Sequence, residues 1–499
     1  MRSLSKSKLL AYRQCPKRLW LEIHRSDLME WSAQAQASFL VGHEVGEIAK
    51  TIYDPKGKGV VFDPAVEGYD EVVIRTDELI ESQLPLFEAG FNANGARAYV
   101  DVMLPLRRKG QKVWHMVEVK SSSKVKETHK DDVAIQSYIT RASGVPLHSV
   151  AVAHIDSEWV YPGGDDYQGL LKEVDMAEDA FGRDEEVQGW VSAAQAIARK
   201  RKAPEIDVGR HCAEPYPCGF LDYCQCDTVA DEYSVACLPG NKNNKLRYLI
   251  EIEGVSDLRE VPDEFLNAKQ LRVKTHTLDG TVYFNADGAA TALAAHKLPA
   301  LFLDFETINL AVPIWKGTRP FQQIPFQFSL HRLSRSGKLT QQEFIDLSGQ
   351  DPSGKFAEAL IAACGERGPI FVYSAFESSR ICDLVKRFPR LTLPLLAINE
   401  RLVDLLPIAS EHYYHPDQRG KWSIKSVLPT IAPDLSYYDL DGVQDGGMAM
   451  TAYREAIHPD TTDARKNEIE RQLLDYCRRD TEAMLRVWQH FVGRSDIKI

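Results

Sequence analysis

The sequence lacks any run of about 18 apolar residues, the length that could cross a bilayer. Its first stretch, Met1-Arg2-Ser3-Leu4-Ser5-Lys6, lacks the apolar core of a signal peptide. The expectation is a cytoplasmic protein with no membrane contact. Positive charge is also short: the formal net charge is -11 and the pI about 5.8. A nucleic-acid partner would therefore need a locally basic surface, because the global field opposes it. An even set of cysteines is missing too. There are nine, an odd count that argues against a disulfide framework in a cytosolic chain.

At 499 residues, with 44% hydrophobic and 26% charged residues, the chain has ample core for two or three domains. Its most telling stretch is Leu301-Phe302-Leu303-Asp304-Phe305-Glu306-Thr307. Side chains alternate along a strand, so Asp304 and Glu306 share one face about 6–7 Å apart. Two carboxylates held that close repel unless a cation sits between them. A hard divalent ion, Mg²⁺ or Mn²⁺, prefers such oxygen ligands. A strand end with two solvated acids is the alternative.

The N-terminal part opens with an amphipathic helix over Leu9–Leu21, broken at Cys15-Pro16, then a helix from roughly Ala33 to Ile52. Ala98–Leu104 reads as a strand, Arg107-Arg108-Lys109-Gly110 as a turn, and Val113–Lys120 as the return strand. Such a hairpin brings Asp101 near Glu118, and Lys120 shares the face of Glu118. A helix containing Asp132–Tyr138 and a strand over Ser149–Ile155 follow.

Asp, then Glu-x-Lys across a hairpin, then a helix with Gln136, resembles the pattern of PD-(D/E)xK nucleases. The resemblance implies that Asp101 and Glu118 hold a divalent metal and that Lys120 orients the water or neutralises developing charge. Cys212, Cys218 and Cys224 follow at C-x5-C-x5-C spacing, with Cys15 about 200 residues upstream. One early and three late cysteines around a Glu-x-Lys core resemble the RecB-like nucleases with an iron–sulfur staple, including CRISPR-associated ones. That implies a [4Fe–4S] cluster on Cys15, Cys212, Cys218 and Cys224, with structural zinc on the same four, or Cys226 in place of Cys224, as alternatives. Cys237, Cys364, Cys382 and Cys477 read as ordinary thiols. Relatives carry a metal-binding His spaced G-x3-H; here His43 directly follows Gly42 and Gly46 stands at the His position, so His43 or Glu47 is the candidate third ligand.

Between Asp231 and Pro299, Lys245–Leu258 reads as a helix ending at Gly254 before a second short apolar element. This resembles one helix–hairpin–helix unit, whose turn would offer backbone N–H groups to phosphate. A plain helical hairpin is the alternative.

After Glu306 the expected order is strands over Ile324–Arg332 and Leu339–Leu347, a helix over Gly354–Cys364, a strand over Pro369–Ser374 and a helix from Ser378. With the first strand this resembles the ribonuclease-H-like order of DnaQ-type exonucleases, whose first strand carries Asp-x-Glu. Their second motif, Asn-x-x-Phe-Asp, is matched by Ser374-Ala375-Phe376-Glu377, with Glu in place of Asp. Tyr476 and Asp480, four apart on a helix, resemble the DEDDy signature, which implies that Tyr476 orients the attacking water and Asp480 completes the metal ligands. Asp404 is a reserve acid, a position that packs and caps in relatives. Trp315–Gln327 mixes aromatics with Arg, Lys and Gln, suited to base stacking and phosphate contact or to a rigid loop. His412, His415, Arg419, Lys421 and Lys425 make a second locally basic stretch.

The whole arrangement resembles a bacterial family of fused nucleases known only as a domain-of-unknown-function family. The expectation is an α/β chain in three parts. A PD-(D/E)xK nuclease domain with its iron–sulfur staple occupies 1–229, a helical connector 230–299, and a ribonuclease-H-like DEDDy domain 300–499. Its implied activity is Mg²⁺- or Mn²⁺-dependent hydrolysis of nucleic acid, DNA favoured over RNA, by an exonuclease on single strands or ends. The other expectation is an iron–sulfur nucleic-acid-binding scaffold for a protein partner, with one or both sites inactive.

Overall fold

The computed structural model describes residues 3–225 and 233–494; Cys226 lies outside them. The fold is mixed α/β, and no helix among the described residues is long and apolar enough to cross a membrane. The chain forms two compact units, one of residues 1–229 with 310–322 and the other of 230–309 with 323–499.

The first unit is built on a seven-stranded sheet. Its strands are β1 (Leu4–Ser5), β2 (Val60–Val61), β3 (Leu86–Ala93), β4 (Ala96–Arg108), β5 (Gln111–Lys120), β6 (Leu147–Ile155) and β7 (Leu171–Asp175). They run in the order β2-β3-β4-β5-β6-β7, with β1 added parallel to β4. Lys109 and Gly110 turn β4 into β5, both with positive φ, of 48° and 81°. Along β4 every second side chain from Ala96 to Val102 is buried, the period-2 pattern of a sheet with one core face. The helix Glu127–Ala142 crosses back to β6, which pairs parallel to β5. Val133, Ala134, Ile135 and Ile139 of that helix are fully buried in the core of this unit.

Residues 310–322, read from the sequence as part of the last domain, belong to the first unit. Ala311 and Val312 pack with Val45, Ile155 and Leu170. Trp315 and Thr318 are buried, the Thr318 carbonyl accepts the Tyr161 amide at 2.9 Å, and Arg319 pairs with Glu158 at 2.8 Å. Burial of Trp315 and the pairing of Arg319 favour the rigid-loop reading of this segment.

In the second unit β8 (Tyr283–Phe284) pairs with β14 (Tyr413–Tyr414). The main sheet holds β9 (Ala300–Ile308), β10 (Ile324–Leu333), β11 (Leu339–Ile345), β12 (Ile370–Val372) and β13 (Leu402–Asp404), in the order β11-β10-β9-β12-β13. β10 is antiparallel to both β9 and β11; β12 is parallel to both β9 and β13. β9 is central and covered on both faces, so it reads as a near-continuous apolar run. Burial of Leu301, Phe302 and Leu303 stabilises it by about 1.5–3 kcal/mol per side chain. The 30-residue helix Asp463–Val492 lies over this sheet, capped by Thr462 at its start and by Gly493, at φ 68°, at its end.

Residues 230–299 do not stand apart as a connector. Leu246, Leu258 and Val273 share one core with Phe302, Phe371 and Trp488. The helix Asn244–Glu251 ends before Gly254, whose φ is 75°, but the next element is a single 3₁₀ turn, Leu258–Glu260. With no second helix directly after the turn, the stretch forms neither the plain helical hairpin nor a helix–hairpin–helix unit.

Candidate functional site

The acids of the second unit converge. Asp304 and Glu306 lie on β9, opposite Ser329 and Gln327 of β10. The long helix brings Asp480 to them, held there by a buried network: the Thr481 hydroxyl meets Ser329 Oγ at 2.9 Å and His331 Nδ1 at 2.8 Å, and Gln327 Nε2 donates to the Leu473 carbonyl at 2.7 Å. Ligand oxygens of Asp304, Glu306 and Asp480 all lie within 4.8 Å of one another. That spacing and all-oxygen chemistry fit a hard divalent cation.

Charge around these groups is one-sided. Burial, reinforced by Asp480, Glu306 and Glu377, raises the Asp304 carboxyl well above the usual range. Burial and Asp480 likewise raise Glu306, against the attraction of Lys425. Asp480 is pushed up to about 6 by burial, held back by the Tyr437 hydroxyl, Lys425 and Tyr476. Three neighbouring acids that resist ionisation together are the arrangement whose repulsion a shared cation would relieve.

Glu377 sits in the first turn of the helix Phe376–Arg387, which starts two residues earlier than expected. It is 4% exposed, and its Oε2 has no hydrogen-bond partner among the described residues. Burial, with Asp404 and Asp480 adding to it, pushes its carboxyl up to about 8. Such an orphaned buried oxygen fits a ligand that accepts electron pairs. Asp404 instead caps the helix Leu405–His412, accepting the Leu406 amide at 2.9 Å.

Three side chains that sequence reasoning did not place complete this site. Tyr437 donates its hydroxyl to Asp480 Oδ1 at 2.5 Å. Lys425 Nζ lies 3.1 Å from the Tyr476 hydroxyl and 2.9 Å from the Gln444 carbonyl. Cys477, expected to be an ordinary thiol, donates to Asp304 Oδ2 at 3.6 Å. Lys425 stood out only as one of a basic stretch, and Tyr437 carried no signal beyond being aromatic.

The first unit brings Asp101, Glu118, Lys120 and Gln136 to one place, and adds Lys6 and Asp132. Asp101 Oδ2 accepts the Val119 amide at 2.7 Å. Glu118, 1% exposed, pairs with Lys6 at 2.9 Å and with Lys120. Asp132 pairs with Lys6 at 3.0 Å and Lys120 at 2.7 Å. Gln136 Nε2 donates to both Glu118 and Asp132, while its Oε1 has no partner among the described residues. Against a burial penalty, Lys120 and Lys6 hold the Asp132 carboxyl far below the usual range, and Asp132 and Glu118 hold Lys120 well above its own. Asp101, which lacks such an ammonium contact, is raised by burial and then by Glu118. The spacing Asp132-x3-Gln136 on one helix face was the available signal for Asp132.

Of the two candidate third ligands, His43 is exposed, while Glu47 pairs with Lys50 at 2.7 Å and stands near enough to the cluster for its charge to act on Glu88. The added acid is Glu88 on β3, between the register pairs that flank Asp101, with φ 58°. Burial raises its carboxyl, and Glu118 adds to the effect.

Cys15, Cys212, Cys218 and Cys224 line one small cavity, with Lys17, Arg18 and His211 among its walls. Cys15 breaks the helices Lys6–Gln14 and Pro16–His24: Pro16 starts the second helix, so Cys15 takes an extended backbone at the junction. Gln14 Nε2 pins the cysteine loop, donating to the carbonyls of His211 at 2.8 Å and Tyr216 at 2.7 Å. Burial raises the thiols of Cys218 and Cys224. The four thiols border this cavity without three of their sulfurs lying within 4.8 Å of one another, a spread too wide for a single zinc ion as it stands and open to a larger thiolate-ligated cluster.

The family described as Domain of unknown function (DUF2779) matches residues 301–423, which hold Asp304, Glu306, Glu377 and Asp404. No curated protein matches the chain.

Proposed function

We propose that this chain is a divalent-metal-dependent nuclease that hydrolyses DNA phosphodiester bonds, as an exonuclease on single strands or ends. The observation that carries this reading is the convergence of Asp304, Glu306 and Asp480 within 4.8 Å, beside the orphaned Glu377 oxygen. The strand order β11-β10-β9-β12-β13, antiparallel on one side of β9 and parallel on the other, supports a ribonuclease-H-like fold for the second unit. Bound Mg²⁺ or Mn²⁺ would supply an acidified water and a counter-charge for the phosphoryl oxygens. Asp304, Glu306, Asp480 and Glu377 would hold it, and Tyr476 would orient the attacking water. In the first unit Asp101 and Glu118 would bind metal and Lys120 would assist the water, on a PD-(D/E)xK framework. The four cysteines would hold a [4Fe–4S] cluster that staples the N-terminal helices to the 212–224 loop.

A second reading has its own observation. Lys6 and Lys120 already pair with Glu118 and Asp132, so ammonium groups stand where a metal would otherwise offset Glu118, and only Asp101 and Glu88 are left without an ion pair among the described residues. This favours a nucleic-acid-binding role for that unit, with cleavage confined to the second. Incubation of the purified protein with Mn²⁺ or Mg²⁺ and labelled single- and double-stranded DNA and RNA tests the proposal. Intact substrates throughout would end it. Loss of cleavage in Asp304→Ala with retention in Lys120→Ala would assign activity to the second site.

A further inference from the structure

An ammonium group has three N–H donors and accepts nothing. Lys425 lies on the helix Ile424–Ile431 and spends one of its donors on the Gln444 carbonyl, at 2.9 Å. A second goes to the hydroxyl oxygen of Tyr476, at 3.1 Å. Its Nζ also stands over the rings of Tyr437 and Tyr476, 5.0 and 4.9 Å from their centroids. The side chain is thus fixed from three directions.

The consequence falls on Tyr476. A phenol can donate its hydrogen or accept through its oxygen, and in an acid-rich pocket nothing else decides which. With the oxygen engaged by an ammonium, the hydroxyl hydrogen must point elsewhere. The hydroxyl lies among Asp480, Glu306 and Asp304, whose charges add to burial in raising the phenol, while Asp480 receives the Tyr437 hydroxyl at 2.5 Å. The one hydroxyl hydrogen is therefore left for an acceptor on the side of the carboxylate cluster.

We infer that Lys425 is a positioning residue that locks the Tyr476 hydroxyl as a hydrogen-bond donor toward the reacting water. The inference rests on the nuclease reading of this site. In the reaction Tyr476 would donate to the water oxygen while that water loses a proton to solvent and its oxygen bonds to phosphorus; the leaving oxygen departs with the phosphorus–oxygen bond pair and takes a proton from solvent. Two of the Lys425 donors are spent on the Gln444 carbonyl and the Tyr476 hydroxyl, so the role assigned to it runs through Tyr476. It acts by denying Tyr476 the alternative orientation.

Action through another residue predicts a non-additive cycle. Four proteins are compared with Mn²⁺ and a labelled single strand: wild type, Lys425→Met, Tyr476→Phe and the double variant. Tyr476→Phe should lower kcat by about 10²-fold, the scale for losing one aimed donor. Lys425→Met should lower kcat at least tenfold with KM unchanged. The double variant should be no slower than Tyr476→Phe alone. Mn²⁺ affinity, measured by calorimetry without substrate, should not fall greatly in Lys425→Met, because the lost ammonium both repels the ion and eases ionisation of Glu306 and Asp480, two opposed effects. Multiplying losses in the double variant, a rise in KM, or a large loss of Mn²⁺ affinity would overturn the inference and make Lys425 a phosphate contact or a structural prop. If Lys425→Met does not fold, Lys425→Gln, which keeps a donor without the charge, is read instead: a kcat nearer wild type than that of Tyr476→Phe supports positioning through the hydroxyl, and a loss as large as that of Tyr476→Phe overturns it. Failure of the nuclease reading looks different: wild type cleaves nothing, or Tyr476→Phe cleaves as wild type does.

Discussion

Lys6 and Glu118 form an ion pair at 2.9 Å across 112 residues of chain. The first helix of the protein thereby supplies a cation to the acid expected to hold metal. Lys6→Met would leave Glu118 and Asp132 sharing Lys120 alone. Its expected cost is about 1–3 kcal/mol, below that of fully breaking a buried pair because Lys120 remains. Urea unfolding measures it. If Lys6 also competes with metal for Glu118, the variant should bind Mn²⁺ more tightly in a chain whose second site is disabled by Asp304→Ala. Unchanged affinity would count against such competition.

The raised acids of the second site make a signed pH prediction. Glu377 is pushed up to about 8 and Asp480 to about 6, both mainly by burial. For an acid whose folded pKa is raised, ionisation costs folding free energy. That cost is absent below the ordinary carboxylate range, near pH 4, and full above the folded value. Metal-free protein should therefore lose stability from this source as pH rises from about 4 to about 8. Glu377→Gln should gain melting temperature relative to wild type between about pH 6 and about pH 8.5, and Mn²⁺ should stabilise wild type more at the higher pH. A pH-independent difference would show that Glu377 carries no such burden.

Tyr437 makes a prediction of its own. Its hydroxyl satisfies one oxygen of Asp480, so Tyr437→Phe removes a donor that favours the ionised acid. Mn²⁺ affinity should fall by about tenfold, the change expected from losing an outer hydrogen bond to a ligand. Calorimetry reads this directly, and no change would mean that Asp480 releases Tyr437 when metal binds.

The cysteine cavity predicts a metal-dependent fold. Protein purified without oxygen should carry iron and inorganic sulfide, with a visible absorbance that bleaches on chelation. Cys218→Ala should lose it and lower the melting temperature. Zinc without sulfide would replace the iron–sulfur reading with a structural zinc site.

Local pattern carried much of this site. Asp304 and Glu306 are two residues apart on a strand, and Tyr476 and Asp480 are four apart on a helix, so each pair shows its shared face in the sequence. Glu118 and Lys120 do the same on β5. What stayed hidden came from long-range packing. Lys6 reaches Glu118, Tyr437 reaches Asp480 and Lys425 reaches Tyr476 across loops that carry no periodicity. Glu88 was hidden for another reason: a left-handed backbone inside a strand is not a property of its neighbours' spacing. The separateness of 230–299 failed similarly, because its apolar residues complete a core whose other half lies in β9, β12 and the last helix.

Cleavage of end-labelled single-stranded DNA in Mn²⁺ by wild type, Asp304→Ala and Lys120→Ala tests the central claim most directly. Wild type should shorten the strand, Asp304→Ala should greatly slow this and leave only what the first site cleaves, and both variants should keep the wild-type melting temperature within a few degrees. Undiminished cleavage by Asp304→Ala, or none by wild type, would contradict it.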